Sequence, residues 1–420
     1  MRRFAGLAVA FLIVSACQTT DAQLATSSSG AQQSEAVDSE QNLEHWLAGV
    51  RAEAMRQGVS KRTLDLALRS VKIIPRILEL DSSQPEFSRT TWAYLDSAVS
   101  ENRIRNGRQK LEQYGSILNR VSQEFGAPPE ILVAFWGVET DYGIDLGSFN
   151  VIDAVATLAF KSRRQAYFRT ELLAALQILE KGDIPREKML GSWAGAMGQT
   201  LFMPTIFLKH ALDEDGDGRR DIWSSMPDIF ASTAHFVVKG NGWKPGRSWG
   251  EEVRLPKDFP WDQAEWKRNK SLSEWISLGV RQVRTGAPPA GDPNEPAAII
   301  IPGGYSGPAF LVRENFDAIM RYNPSISYAL AVALLSDRLA GREGVVQPWP
   351  RHEQALSRSE RVELQEILIS MGYGSGKADS LIGPVTRNSL RKFQSSIGEV
   401  PDGFPTKSLL NRLRQAAQNQ

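Results

Sequence analysis

A mainly helical chain, α+β by virtue of one small β excursion and closed by a separate three-helix unit, is the fold the sequence predicts. Three patterns carry that expectation. Apolar residues recur at three- and four-residue intervals from Leu43 to Leu212, beginning with Leu43, Trp46, Leu47 and Val50. Between Glu251 and Val312 the pattern changes to short apolar runs such as Ala298-Ile299-Ile300-Ile301 and Ala309-Phe310-Leu311-Val312, broken by Pro and Gly. Helical spacing then returns from Ser325 to Leu339, with Gly341 as the stop, and again after residue 356. The composition agrees. At 420 residues, 42% hydrophobic and 23% charged, the chain can bury a sizeable core and is long enough for two or three domains. Its 49 basic and 48 acidic residues leave a net charge of +1, which argues against bulk nucleic acid as a partner. One cysteine excludes a disulfide framework, and four histidines without an HExxH spacing argue against a zinc hydrolase.

The first element is a targeting segment. Arg2 and Arg3 precede an apolar run from Phe4 to Ala16, too short to span a bilayer. The run ends Val14-Ser15-Ala16-Cys17 and resembles a bacterial lipobox, in which the cysteine thiol is acylated. A plain signal peptide with an incidental cysteine is the alternative. Gln18 rather than Asp after the cysteine implies a periplasmic protein held at the outer membrane by lipid on Cys17. Residues 18–41, rich in Ser, Gln, Thr and Ala, read as a flexible tether with a root-mean-square reach of roughly 25–30 Å. The main body follows at 42–343, then a linker at 344–356 around Pro348-Trp349-Pro350, then the small unit at 357–416.

Within the body, Pro128-Pro129-Glu130 opens a helix with Pro and an acid in its first turn. Glu139 lies four residues after Phe135, three after Trp136 and seven after Leu132, which places a carboxylate on an apolar, aromatic stripe. Gly143 is the expected stop. A carboxyl beside an indole in low dielectric should have a raised pKa, as a general acid at neutral pH requires. The residues alone leave a second reading open, in which the methylenes pack and the head reaches solvent or an arginine.

Phe135-Trp136-Gly137-Val138-Glu139-Thr140-Asp141-Tyr142-Gly143 resembles the catalytic segment of lytic murein transglycosylases of the membrane-bound B type. Gly191-Ser192-Trp193-Ala194-Gly195-Ala196-Met197-Gly198 with Phe202-Met203-Pro204 resembles that family's second motif. Arg321-Tyr322-Asn323-Pro324-Ser325 with Tyr328-Ala329 resembles its third, and the resemblance runs from about Leu43 to Gly341. It implies a lysozyme-like helical catalytic domain that cleaves the MurNAc–GlcNAc bond of peptidoglycan without water and leaves 1,6-anhydro-MurNAc ends. Glu139 would be both acid and base, assisted by the substrate's acetamido group, and no cofactor enters the chemistry. Asp145 and Asp153 remain open as second carboxylates. A muramidase that activates water with Glu139, and a non-catalytic wall-binding lipoprotein, are the competing readings.

The resemblance implies further contacts residue by residue: Ser192 near the glutamate, Tyr322, Asn323 and Tyr328 lining the cleft, Phe202 as an aromatic sugar contact, and Arg163 and Arg164 along the glycan groove. Asn323 has an alternative use as the N-cap of the following helix. One departure stands out: Leu201 occupies a position where many members have Gln, and Gln199 lies two residues earlier.

From Asp213 to Trp223 the chain has acids at loop positions 1, 3, 5 and 9 (Asp213, Asp215, Asp217, Asp221) and Gly218 at 6, the EF-hand arrangement of hard oxygens around Ca²⁺. Arg219 at position 7 would offer its carbonyl. Ser224 replaces the usual Glu at position 12, and the resemblance implies Asp228 as the late carboxylate. An ion-free, Asx-rich turn is the alternative; if Ca²⁺ binds, its expected role is structural.

After residue 356, Leu364-Gln365, Met371-Gly372-Tyr373, Asp379 to Arg387, Leu390 to Gln394 and Asp402-Gly403 resemble a three-helix peptidoglycan-binding domain, with Ser380 where Gly is usual. Glycan strands of the wall are therefore the expected partner, and a monomer the expected state.

Overall fold

The computed structural model describes residues 28–83, 89–266, 270–374 and 376–419, with side chains from residue 42 onward. The signal segment and Cys17 lie outside the described residues. The chain divides into two units, Met1–Ala52 and Glu53–Gln420. A helix, Ser28–Arg56, opens the described chain. Residues 28–41 of the stretch read as a tether lie on this helix. Once the strongly patterned turns after Leu43 form, extending a helix fixes one residue per added hydrogen bond, and a stretch without proline offers little resistance.

The body of the second unit is helical. Its largest core gathers Leu118 and Val121, the whole of Ile131–Trp136, Ile229 and Phe230, Phe316 and Ile319, and Leu330–Ala333. Two helices inside it, Pro129–Thr140 and Ile326–Leu339, are apolar on nearly every face because they are surrounded by other helices. The expected β excursion is a five-stranded antiparallel sheet in the order Lys270–Ser271, Pro296–Ile300, Ala309–Val312, Gly250–Arg254, Arg281–Gln282. One face joins the helical core through Ala298, Ile300, Phe310 and Val312. The other builds its own cluster around Trp275, Phe259, Ile299 and Leu311. That two-sided burial explains why two of its inner strands, Pro296–Ile300 and Ala309–Val312, read as apolar runs and not as alternation.

The stretch 344–356, a linker by composition, is fastened along its length. Glu252 accepts hydrogen bonds from the Val346 and Gln347 amides at 2.7 and 2.8 Å. Trp349 packs 6.1 Å from Trp92 and 6.4 Å from Phe310, ring centre to ring centre. Arg351 forms a two-pronged pair with Asp96 at 2.7 and 2.9 Å.

Beyond it, helices Arg358–Ser370, Pro384–Ser396 and Lys407–Gln418 enclose a core of Leu364, Leu368, Leu390, Phe393, Leu410 and Leu413. Gln365 stitches the join between the first two: its amide oxygen accepts from the Ser380 amide at 2.8 Å and its amide nitrogen reaches Asp379 and Thr386 at 3.1 Å. Ser380 has φ 69°, the left-handed region, which accounts for the usual glycine there.

Candidate active site

The site is built on the end of helix Pro129–Thr140. The helix stops three residues before Gly143, because Asp141 and Tyr142 already adopt left-handed backbone (φ 50° and 62°) and Gly143 continues it at 83°. Two successive non-glycine residues in that region cost about 1–3 kcal/mol each and persist only where the surroundings fix them. Here they do. Arg103 Nε donates to Asp141 at 3.1 Å, and the Tyr142 hydroxyl donates to the Arg103 carbonyl at 2.8 Å. The Tyr142 ring lies flush against Gly137, where an added Cβ would sit 2.7 Å from ring carbons. Thr140 donates to the Gln199 carbonyl at 2.6 Å and accepts from the Gly143 amide at 3.1 Å.

Glu139 occupies the last turn, partly exposed while its neighbours Phe135, Trp136 and Thr140 are buried. Burial pushes its pKa up from 4.5 to about 7, against the opposing effect of a hydrogen bond donated by the Tyr328 hydroxyl to Oε1. No other carboxylate among the described residues acts on it. Asp141 faces Arg103, Asp153 is paired with Arg186 at 2.8 Å, and Asp145 is exposed with its Oδ1 accepting from the Gly147 amide at 3.3 Å.

The third motif closes over the acid. Ser325 caps helix Ile326–Leu339 by accepting from the Tyr328 amide, so Asn323 is not the cap; it stands exposed just after helix Glu314–Tyr322. Tyr328 is buried and stacks on Tyr322, 6.4 Å between centres at 18°. The Tyr322 hydroxyl donates to the Thr200 carbonyl, tying the third motif to the second. Burial, then the nearby Glu139 charge, raise both tyrosines well above their usual range, so both remain donors.

The second motif departs from expectation at Phe202. Its ring is 1% exposed and packs against Phe236 (5.2 Å) and Tyr322 (6.4 Å). It packs beneath Tyr322 and presents no face to a sugar, and its backbone is bridged to Met197. The Ser192 hydroxyl accepts from the Ala196 amide at 3.1 Å, within its own loop. Gln199 does not stand in for the missing glutamine. Its Oε1 accepts from the Trp136 indole at 2.6 Å and its Nε2 donates to the Trp223 carbonyl at 2.9 Å. Leu201 itself is left-handed (φ 51°) and partly exposed. Arg163 is exposed, while Arg164 lies 3.6 Å from Asp81 and over the Phe168 ring at 4.9 Å.

Sequence reasoning missed Tyr94, on helix Thr91–Ala98. Burial and then the charge of Glu139 push its pKa to about 12, which places it beside the acid. No local pattern marks it: it arrives from a helix far upstream and belongs to none of the three motifs.

Asp213, Asp215 and Asp217 each bring one carboxylate oxygen within 4.8 Å of the others, all exposed, which fits hard-cation binding. Asp213 also accepts from the Gly216 and Gly218 amides at 2.9 Å. Asp228 does not join this group. It is fully buried, and its oxygens accept from the amides of Glu214 (2.7 Å), Asp215 (3.3 Å) and Asp221 (2.8 Å), so it organises the loop from below. Arg219 spends its guanidinium on Asp217 at 2.9 Å. Asp221 turns away to hold the Trp223 and Ser224 amides at 2.9 Å.

Residues 42–337 match the transglycosylase SLT domain family and residues 357–413 a peptidoglycan binding domain family. Over 300 residues the chain is 30% identical to the membrane-bound lytic murein transglycosylase B of Escherichia coli (strain K12), covering 68% of this chain and 80% of that protein. It is similar to SltB3 from Pseudomonas aeruginosa, solved in complex with NAG-anhNAM-pentapeptide, at 45% identity and TM-score 0.86 over 89% of this chain and 99% of that one. It also resembles the Escherichia coli lytic transglycosylase Slt35, solved in complex with calcium, at 30% identity and TM-score 0.58 over 69% of this chain and 91% of that one.

Proposed function

The chain belongs to the transglycosylase SLT domain family, and from that premise we propose that Glu139 cleaves the MurNAc–GlcNAc bond and leaves 1,6-anhydro-MurNAc ends. The enzyme is a peptidoglycan lytic transglycosylase. One observation supports the single-residue mechanism above others: a carboxyl with a pKa near 7 on which no second carboxylate acts. Ordinary glycosidases need two carboxylates to activate water or form a covalent intermediate. In this mechanism neutral Glu139 protonates the glycosidic oxygen as the bond to C1 breaks. The resulting carboxylate takes the proton of the muramic C6 hydroxyl, whose oxygen closes on C1. The proton is returned and no water is consumed. The Tyr328 hydroxyl donates to Oε1, and that hydrogen bond stabilises the carboxylate formed midway. The acid, the base and the nucleophile are one side chain and the substrate's own hydroxyl, so the chemistry calls for no cofactor.

Tyr94, Tyr322 and Tyr328 surround the acid in this reading, while Asn323, Ser192, Arg163 and Arg164 serve the sugar strand. The domain over 42–343 acts on the strand, and the unit over 357–416 holds wall material. A cavity of about 360 Å³ lined by Gln365, Leu368, Asp379, Leu381, Thr386 and Ser389 is its candidate contact. The arginine pair, the apolar run and Cys17 support export, lipid anchoring at the outer membrane and a role in wall remodelling, as does the membrane-bound relative. Among the described residues no helix is long and apolar enough to cross a membrane.

Mass spectrometry of digested peptidoglycan is the test. Fragments 18 Da lighter than their reducing counterparts (one water, the defining difference of an anhydro end) are expected. Reducing ends would establish a hydrolase, and no release would establish a binding protein.

Asp213, Asp215 and Asp217 would hold a Ca²⁺ whose role is to clamp the loop. Three carboxylates so close repel one another without a cation. Chelator is therefore expected to lower the melting temperature by several degrees, with Ca²⁺ restoring it; a curve indifferent to both would remove the ion from the account.

A further inference from the structure

A second cavity, of about 400 Å³, lies on the flank of the third motif and takes no part in the chemistry above. Lys239, Lys244 and Arg321 line it, together with Asn241, Glu314 and Asp317. The two acids already have partners: Asp317 accepts from the Trp266 indole at 2.7 Å, and Glu314 faces Arg247 at 3.4 Å. The cations outnumber them, and both lysines project from an exposed rim. Asn241 is 4% exposed, and its Nδ2 has no hydrogen-bond partner among the described residues. A buried amide donor left in that condition costs about 1–3 kcal/mol unless an acceptor arrives.

The backbone here is held rigid. Fully buried Asn315 accepts from the Lys244 amide at 2.6 Å and donates to the Lys244 and Arg247 carbonyls at 3.0 and 2.8 Å. Arg321 donates to the Asn241 carbonyl, so the residue preceding Tyr322 is fastened to the floor of the cavity. A π-helical turn, Phe236–Gly240, delivers Lys239 to the rim, and such turns recur at functional sites.

We propose that this cavity binds a carboxylate of the peptide stem carried by the glycan strand, making it a stem-recognition subsite beside the cleft. The proposal rests on the transglycosylase reading, because that reading supplies a substrate whose anionic groups are peptide carboxylates. Three cations and an unpartnered amide donor match that chemistry, and the volume admits one or two residues of a stem.

The experiment uses the full chain. Lys239→Gln and Lys244→Gln, combined, remove both charges and keep the exposed positions polar. Rates are compared on stem-bearing glycan strands and on strands stripped of stems by an amidase. The ratio of kcat/KM between the two substrates is expected to fall about three- to tenfold in the double variant, the range for two exposed charge contacts. A free stem tetrapeptide is expected to bind wild type more tightly than its C-terminally amidated form, and the double variant is expected to lose that preference. An unchanged ratio, equal binding of the amidated peptide, or binding of inorganic phosphate without the tetrapeptide would overturn the proposal. Failure of wild type to cleave either substrate would instead overturn the transglycosylase reading.

Discussion

Glu139→Gln is expected to abolish turnover on peptidoglycan, lowering kcat by about 10²–10⁴-fold or more, since the amide can neither give nor take the proton. KM should change little, because the amide keeps the shape and still accepts from Tyr328. The wild-type pH profile follows from the raised pKa. The productive free enzyme carries a protonated Glu139, so kcat/KM should be level in mild acid and decline as pH rises through about 7. The same shift has a stability consequence of fixed sign. Glu139 binds its proton more tightly folded than unfolded, so its contribution is fully present below pH 4.5 and is lost as pH rises through about 7. Above that the buried charge costs up to about 3 kcal/mol, less whatever its partial exposure recovers. Glu139→Gln should therefore melt higher than wild type at pH 8 and nearly the same at pH 5. Residual activity near wild type, or a variant that melts lower at pH 8, would refute the assignment.

Gln199→Ala strands the Trp136 indole and the Trp223 carbonyl without partners inside the protein. Each loss costs about 1–3 kcal/mol, so a destabilisation of about 2–4 kcal/mol is expected in denaturant melts. Activity should fall in parallel even at temperatures where the variant is fully folded, because Trp136 lies one turn before Glu139. Calorimetry paired with turnover at 20 °C separates the two losses. A stable, fully active variant would show that the hydrogen bonds are incidental.

The helices, the β excursion and the position of the acid were legible because each depends on short-range pattern. Leu132, Phe135, Trp136 and Glu139 share a stripe at helical spacing, and the change from that spacing to short apolar runs located the sheet. What sequence could not show depends on distant partners. Phe202 looks like a sugar contact until Phe236 and Tyr322 are seen to cover it. Asp228 has the right chemistry for an ion but is claimed by three amides from its own loop. Asn323 precedes a proline as an N-cap often does, yet Ser325 takes that duty. Tyr94 reaches Glu139 only through the packing of helix Thr91–Ala98 against Ile326–Leu339. Residues 344–356 carry a linker's composition, and only Glu252, Trp92 and Asp96, all outside the stretch, make them a strap.

The hydrogen bonds of Gln199 join two regions that sequence treats separately. Asp221 holds the Trp223 amide, the Trp223 carbonyl holds Gln199, and Gln199 holds the indole one turn from the acid. The acidic loop and the helix that carries Glu139 are thus joined by one chain of hydrogen bonds. A substitution that loosens the Trp223 turn is then expected to disturb the setting of Glu139, although no loop residue need ever meet a sugar.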